Sequence, residues 1–175
     1  MIQQKPKATS NIKPLITYEQ ILAMLEAVVD PEIPVLTIAD LGILRGVEWH
    51  EATGEWEVLI TPTYSGCPAT DMIRAQIRMT LLEHGISNVR ITQVLSPAWT
   101  TDWMTETAKE KLRQYGIAPP VGKAMDEALL ENTIVPCPRC GSQHTKLVSA
   151  FSSTACKAFY ECQDCLEPFD HFKCH

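Results

Sequence analysis

Long apolar runs are missing from this sequence: no stretch approaches the length needed to cross a bilayer as a helix. The opening MIQQKPKATSNIKP is polar and basic and lacks the apolar centre of a secretion signal. Positive charge is scarce as well, since 15 Lys and Arg stand against 21 Asp and Glu, for a net charge of −6. That balance argues against broad binding to nucleic acid or to an anionic membrane. No Glu-x-x-His pair occurs, so the chain lacks the ligand pattern of a di-iron oxygenase bundle. The eight glycines form no G-x-G-x-x-G, which removes the usual flavin or nicotinamide fingerprint. No His–carboxylate–nucleophile series is visible either.

What is present is the composition of a folded chain, with 45% hydrophobic and 21% charged residues. A length of 175 residues suits one ordinary domain, or a small domain plus a mini-module. Seven cysteines is an odd count, and four of them sit in CxxC pairs. Without an export signal, this points to metal sites or reactive thiols over disulfides, and to the cytoplasm as compartment.

Periodicity predicts the order α-β-β-α-β. Thr17 and Gln20 form a T-x-x-Q capping box, with Ile16 and Ile21 placed as a hydrophobic staple. Tyr18, Ile21, Leu22, Leu25, Val28 and Val29 follow helical spacing up to Asp30-Pro31, where the proline resists continuation. Ile43–Trp49 and Glu55–Thr61 read as a hairpin across a turn at His50–Gly54. A second helix follows with Ala69, Met72, Ile73, Ile77 and Leu81 inward, stopped at His84-Gly85. Val89, Ile91, Gln93 and Leu95 alternate as a third strand. Helices on one face of a small sheet are the expected packing. Met104, Ala108, Leu112 and Tyr115 then mark a short amphipathic helix ending at Gly116. Ile117 to Val135 reads as a linker with one helical turn in MDEALL.

The strongest chemical signal is Cys137-Pro-Arg-Cys140 paired with Cys162-Gln-Asp-Cys165. Two residues between cysteines let both sulfurs turn toward one ion, and two such pairs close a tetrahedral S₄ shell of the kind that holds structural zinc. Iron in a rubredoxin-like shell is the alternative occupant. About forty residues bury too little apolar surface to fold alone, whereas structural zinc supplies roughly 10–16 kcal/mol of apparent binding energy. Cys156 and Cys174 are left over and read as small residues packed against the hairpin, with an extra ligand or a redox thiol as the alternative for either. His144, His171 and His175 are spare, because four cysteines already fill the shell.

The second signal is Thr61–Asp71, TPTYSGCPATD, at a strand-to-helix junction. Pro68 suits a first helical turn, which makes Cys67 the expected N-cap. A helix-end effect of roughly 0.3–1 kcal/mol lowers a thiol pKa by well under one unit, and Asp71 opposes it. A functional Cys67 therefore needs a bound metal or a nearby cation. Spacing alone leaves open the other reading, a small buried core thiol. Asp30 and Glu32, beside prolines in a stiff loop, are candidates to orient a metal or to pair with a thiol. Otherwise Asp30 caps the helix end and Glu32 is solvated. Asp40 and Gly42 suit an ordinary turn.

DPEIPVLTIADLGIL followed by TPTYSGCPAT resembles the iron–sulfur assembly family that includes SufT-like proteins. SPAWTTDWMT, QYGIAPP, CPRCGS, STACKAFYEC and EPFDHFKC extend the likeness to the PaaD family, the D-type subunits of phenylacetyl-CoA epoxidases. The resemblance implies an α+β chain: a flexible arm over 1–14, an iron–sulfur-assembly-type domain over 15–116, a linker over 117–134 and a zinc ribbon over 135–175. It implies an accessory or maturation role in aerobic phenylacetate breakdown, with the oxygenation performed by another subunit. Its functional thiol would be Cys67, with Asp30, Glu32, Thr61 and Thr63 as neighbours. Cys67 would carry iron or an iron–sulfur cluster transiently, with sharing across a homodimer as one arrangement. Cys137, Cys140, Cys162 and Cys165 would hold zinc. The partner would be the catalytic di-iron oxygenase subunit or the reductase. The competing expectation is a structural adaptor, in which the ribbon and the aromatic loop of Trp99 and Trp103 hold the complex together without metal transfer. A thiol enzyme using Cys67 is a third class, for which no base is identifiable.

Overall fold

Thr17 and Gln20 close the capping box as expected. Gln20 Oε1 accepts the Thr17 N–H at 2.8 Å, and Thr17 Oγ1 accepts the Gln20 N–H at 3.3 Å. They open α1 (Tyr18–Leu25) in a computed structural model that describes residues 15–64, 66–121 and 133–173. The expected arm over 1–14, the MDEALL turn, Cys174 and His175 lie outside the described residues. The helix stops earlier than its apolar spacing suggested. Ala27 and Val28 donate to Met24 and Leu25 in tighter turns, and Val29 leaves to bridge Thr37. Tyr18 is correspondingly exposed, and Ile21 and Leu25 make the buried face.

The hairpin forms from β1 (Leu44–His50) and β2 (Glu55–Ile60), antiparallel, and β3 (Val89–Gln93) joins β2 in parallel. Between them runs α2 (Ala69–Glu83), which buries Ala69, Ile73, Ile77 and Leu81. Met72, expected inward, is exposed; it lies one residue, about 100°, round from the Ile73–Ile77–Leu81 stripe. Leu95 is likewise exposed, beyond the end of β3. The sheet order is β1-β2-β3. One core cluster unites α1, α2 and the buried sheet residues Val47, Trp56, Val58, Ile60 and Ile91. This is the α+β architecture read from the sequence.

Thr105 caps α3 (Glu106–Tyr115), which buries Ala108 and Leu112 and leaves Tyr115 exposed. Gly116 ends it at φ +94, a left-handed conformation that glycine adopts without penalty. The next two residues form β4 (Ile117–Ala118), where the sequence suggested linker. β4 pairs in parallel with β7 (Pro168–Phe172), which is antiparallel to β6 (Lys157–Cys162), itself antiparallel to β5 (Thr145–Ser149). The C-terminal sheet therefore runs β4-β7-β6-β5.

The aromatic loop turns inward. Trp99 is buried, donates its indole N–H to Leu41 O at 2.8 Å, and meets Phe172 edge-on at 6.2 Å. Trp103 is half-buried under the Arg45 guanidinium, 3.6 Å from its ring centroid. Gly42, at φ +67, lies so close that a Cβ there would sit 2.7 Å from Trp103 Cβ. Asp40 anchors the same turn, with Lys111 Nζ at 2.6 Å and the Thr37 N–H at 3.0 Å. Burial works to raise its pKa, but Lys111 and Thr37 together hold its carboxyl below the usual value. Trp99 thus joins the first domain to the C-terminal sheet, whereas Trp103 packs against Arg45 and Gly42 within the first domain. Among the described residues no helix is long and apolar enough to cross a membrane.

His171, fully buried on β7, places Nδ1 3.3 Å from Ala118 O, and its Nε2 has no hydrogen-bond partner among the described residues. Burial pushes its pKa down to about 4. The unfolded chain then takes up a proton near pH 6.5 and the folded chain only near 4, so stability is full above 6.5 and falls as the pH drops toward 4. Between pH 7 and 5 this should cost about 2 kcal/mol. Denaturant titrations of the metal-saturated protein should show that loss, and His171→Phe should flatten it. An unchanged pH slope in the variant would count against the assignment.

Candidate functional site

At the end of β2 the chain enters the Thr61–Asp71 segment. Thr61 donates its N–H to Ile43 O at 2.8 Å, yet its buried Oγ1 has no hydrogen-bond partner among the described residues. Pro62 and Thr63 follow as buried wall residues. Gly66 adopts φ +81, the turn that brings the chain back to the helix. α2 begins one residue later than expected. Pro68 occupies the cap position with helical angles (φ −67°, ψ −25°), and no side chain caps the end. Proline's fixed φ admits it to the helical turn and leaves Cys67 outside. The helix-end argument for Cys67 is therefore weaker than its spacing suggested. The neighbour it has instead is Tyr64. Burial first, then a hydrogen bond to Cys67, raise the pKa of that phenol strongly.

The Asp30 loop forms the facing wall. Asp30 does not cap α1. Its Oδ1 accepts the N–H groups of Glu32 and Ile33 at 2.8 and 2.9 Å, so the carboxylate organises the DPEIP turn that follows it. Burial raises its pKa against those two hydrogen bonds and the charge of Lys157. Glu32 is not solvated but half-buried. Burial and then the charge of Asp30 raise its pKa, opposed by a hydrogen bond from Cys156 and the charge of Lys157. Asp30, Glu32, Thr63, Cys67, Thr70 and Phe172 all line one cavity of about 10 Å³.

Phe172 belongs to β7, so the C-terminal sheet closes this cavity. Cys156, just before β6, is 4% exposed and donates its thiol to Glu32 Oε2 at 3.7 Å, across 124 positions of sequence. Burial, with Glu32 and Asp30 adding to it, pushes that thiol up to about 11. Lys157 is buried beside it, 3.0 Å from Asp170, and supplies a cation whose charge acts on both carboxylates. Sequence reasoning missed Tyr64, Cys156, Lys157 and Phe172 as parts of this site. The available signal was arithmetic: Cys156 was a cysteine that the S₄ shell did not need.

The four CxxC cysteines meet at the other end of the C-terminal sheet. Cys137 Sγ lies 3.8 Å from Cys165 Sγ and Cys140 Sγ 3.6 Å from Cys162 Sγ, with all four within 4.8 Å of one another. Sulfurs at about 2.3 Å from one tetrahedral ion would be spaced about 3.8 Å apart, so the residues fit a metal. The Cys165 N–H reaches Cys162 Sγ at 3.5 Å and holds that thiol down to about 6, favouring the thiolate a cation needs. Gly141 at φ +76 turns the first knuckle, and Leu166 at φ +62 takes the corresponding place after the second. His144 pairs with Asp164 at 3.2 Å, and neither it nor His171 joins the cluster. Glu48, His50 and Glu57 form a second, more exposed group on the hairpin, where Glu57 is already bound by His50, Arg90 and Thr92.

Residues 18–94 match the family model described as iron–sulfur cluster assembly protein, and residues 122–173 match the model described as PaaD zinc beta ribbon domain. A protein of Escherichia coli (strain K12), described as the D-type subunit of a candidate 1,2-phenylacetyl-CoA epoxidase, is 53% identical over 156 residues. The match covers 89% of this chain and 92% of that protein. The chain belongs to the PaaD family. Its first domain has relatives of its own. An "Fe-S protein maturation auxiliary factor" of Porphyromonas gingivalis (strain ATCC BAA-308 / W83) is 39% identical, over 56% of this chain and 92% of that protein. The crystal structure of a domain of unknown function (DUF59) from Bacillus anthracis aligns with TM-score 0.50 at 28% identity. It covers 54% of this chain and 90% of that one. This PaaD-family chain thus joins an iron–sulfur-assembly-type domain to a ribbon with a metal-binding cysteine cluster.

Proposed function

We propose that this chain is an accessory maturation subunit of the phenylacetyl-CoA ring epoxidase system, handling metal cargo for a partner through Cys67. Asp30, Glu32 and Thr63 line the cavity with the cargo thiol, and Thr61 precedes it in the same segment. Cys137, Cys140, Cys162 and Cys165 hold structural zinc, which fixes the ribbon. The cargo is iron or an iron–sulfur cluster, and the client is the catalytic di-iron oxygenase subunit or the reductase. Relatives described as an epoxidase subunit and as a maturation factor support this reading. The observation that carries it is the cavity that Cys67 lines together with buried Asp30, half-buried Glu32 and Phe172 of the ribbon. Such a mixed sulfur and oxygen environment suits iron better than it suits a packed core thiol.

Cys67→Ser is expected to leave expression and fold unchanged, because the thiol is only partly buried and Ser is of similar size. The client purified from cells carrying this variant should hold less than half its normal iron. Fully loaded, active client would remove the transfer role and favour the adaptor reading.

A further inference from the structure

We propose that Leu166, at the tip of the second cysteine knuckle, anchors this chain to its client by entering an apolar socket with a basic rim. The inference rests on the reading of the chain as an accessory subunit and adds the contact surface, whether or not Cys67 carries cargo. Leu166 lies in the turn that joins β6 to β7, closed by the Cys162 N–H donating to Glu167 O at 3.0 Å. Among the described residues it is the one non-glycine in the left-handed region, at φ +62. Turn positions of this hand ordinarily go to glycine, because a Cβ there crowds the neighbouring carbonyl. Gly141 holds such a position after Cys140 in the first knuckle. A leucine kept in this conformation costs stability, and its own chain gives it no packing in return. The side chain is 70% exposed and belongs to neither apolar cluster. Backbone strain of this kind persists where the side chain has a use.

The charges around the leucine define what it meets. Asp164, Cys165, Glu167 and Pro168 are exposed beside it. Between Lys157 and Lys173 the chain carries Glu161, Asp164, Glu167 and Asp170 and no Lys or Arg. Nucleic acid or an anionic lipid surface would repel such a tip. A protein socket with Lys and Arg at its rim complements it. The leucine is also presented on a braced loop. Cys162 and Cys165 belong to the four-cysteine cluster, and the Cys165 N–H reaches Cys162 Sγ at 3.5 Å. Asp164 is held from the first knuckle by Ser142 and by His144, the latter at 3.2 Å. Docking therefore requires little ordering of this segment.

The probes are the purified oxygenase subunit and, in a parallel assay, the reductase, each titrated with the full chain, its ribbon filled with zinc. Leu166→Gly should raise the melting temperature by about 2–4 °C, since relief of the Cβ clash exceeds the freedom glycine gains in the unfolded chain. The same variant should bind the client at least about tenfold more weakly, the scale set by one buried leucine. Leu166→Met, apolar but with the same strain, should keep most of the affinity. Glu167→Lys should slow association. A variant that is more stable and yet docks poorly is an outcome that a merely structural residue would not give. Leu166→Gly that fails to melt higher or binds like the unmutated chain, Leu166→Met that binds no better than the glycine variant, or Glu167→Lys that associates at an unchanged rate overturns the anchor and leaves the accessory reading standing. An unmutated chain that binds neither subunit overturns both.

Discussion

Replacing Cys162 by Ser should empty the ribbon's metal site and, at a distance, open the cavity at Cys67. Cys162 is fully buried at the end of β6, with its sulfur 3.6 Å from that of Cys140. A structural metal site of this kind supplies roughly 10–16 kcal/mol of apparent folding energy. The apolar cluster beside it is small, built around Val135, Tyr160 and Phe169, and cannot make good that loss. When the ribbon unfolds, Phe172 leaves Trp99 and Cys156 leaves Glu32. Three measurements should move together: zinc content toward zero, Trp99 fluorescence toward the red, and faster reaction of Cys67 with a thiol reagent. Metal-free protein in which Cys67 reacts at the wild-type rate would show that the two sites are independent.

Phe172→Ala should separate the packing of the ribbon from its metal. The ring is 1% exposed, belongs to the main core cluster and forms part of the cavity wall. Truncating a buried Phe costs about 3–5 kcal/mol through lost burial and the void left behind. The denaturant midpoint should fall accordingly, with one zinc still bound per chain. A loss under about 1 kcal/mol, well below that of a core ring, would mean that β7 only rests against the first domain.

Local chemistry explains which parts of this arrangement the sequence made legible. The Thr17–Gln20 box, the alternation of Trp56, Val58 and Ile60, and the two CxxC knuckles each need only a few consecutive residues, and each formed as expected. The end of α1 was less legible, because Val28 and Val29 kept helical spacing while Val29 found a strand-like partner in Thr37. Asp30 does not cap the end of α1, the ordinary role its position suggested, since its carboxylate serves the loop after it and not the helix before it. The meeting of Glu32 with Cys156 has no local signature at all. It depends on how two domains pack, and no spacing rule reaches across 124 residues. The same holds for Trp99, whose ring meets Phe172 of the C-terminal sheet.

The two residues of β4 set a practical limit on dividing this protein. Ile117 and Ala118 follow directly from α3, yet their ladder partners are Asp170 and His171. A ribbon fragment starting at residue 119 or later would leave one side of β7 with bare amide and carbonyl groups, an invitation to pair with another molecule. A fragment ending at 116 would lack Phe172, which helps to close the cavity at its one thiol, Cys67. Shuffling experiments that treat the halves as interchangeable cassettes should therefore splice before α3 or not at all.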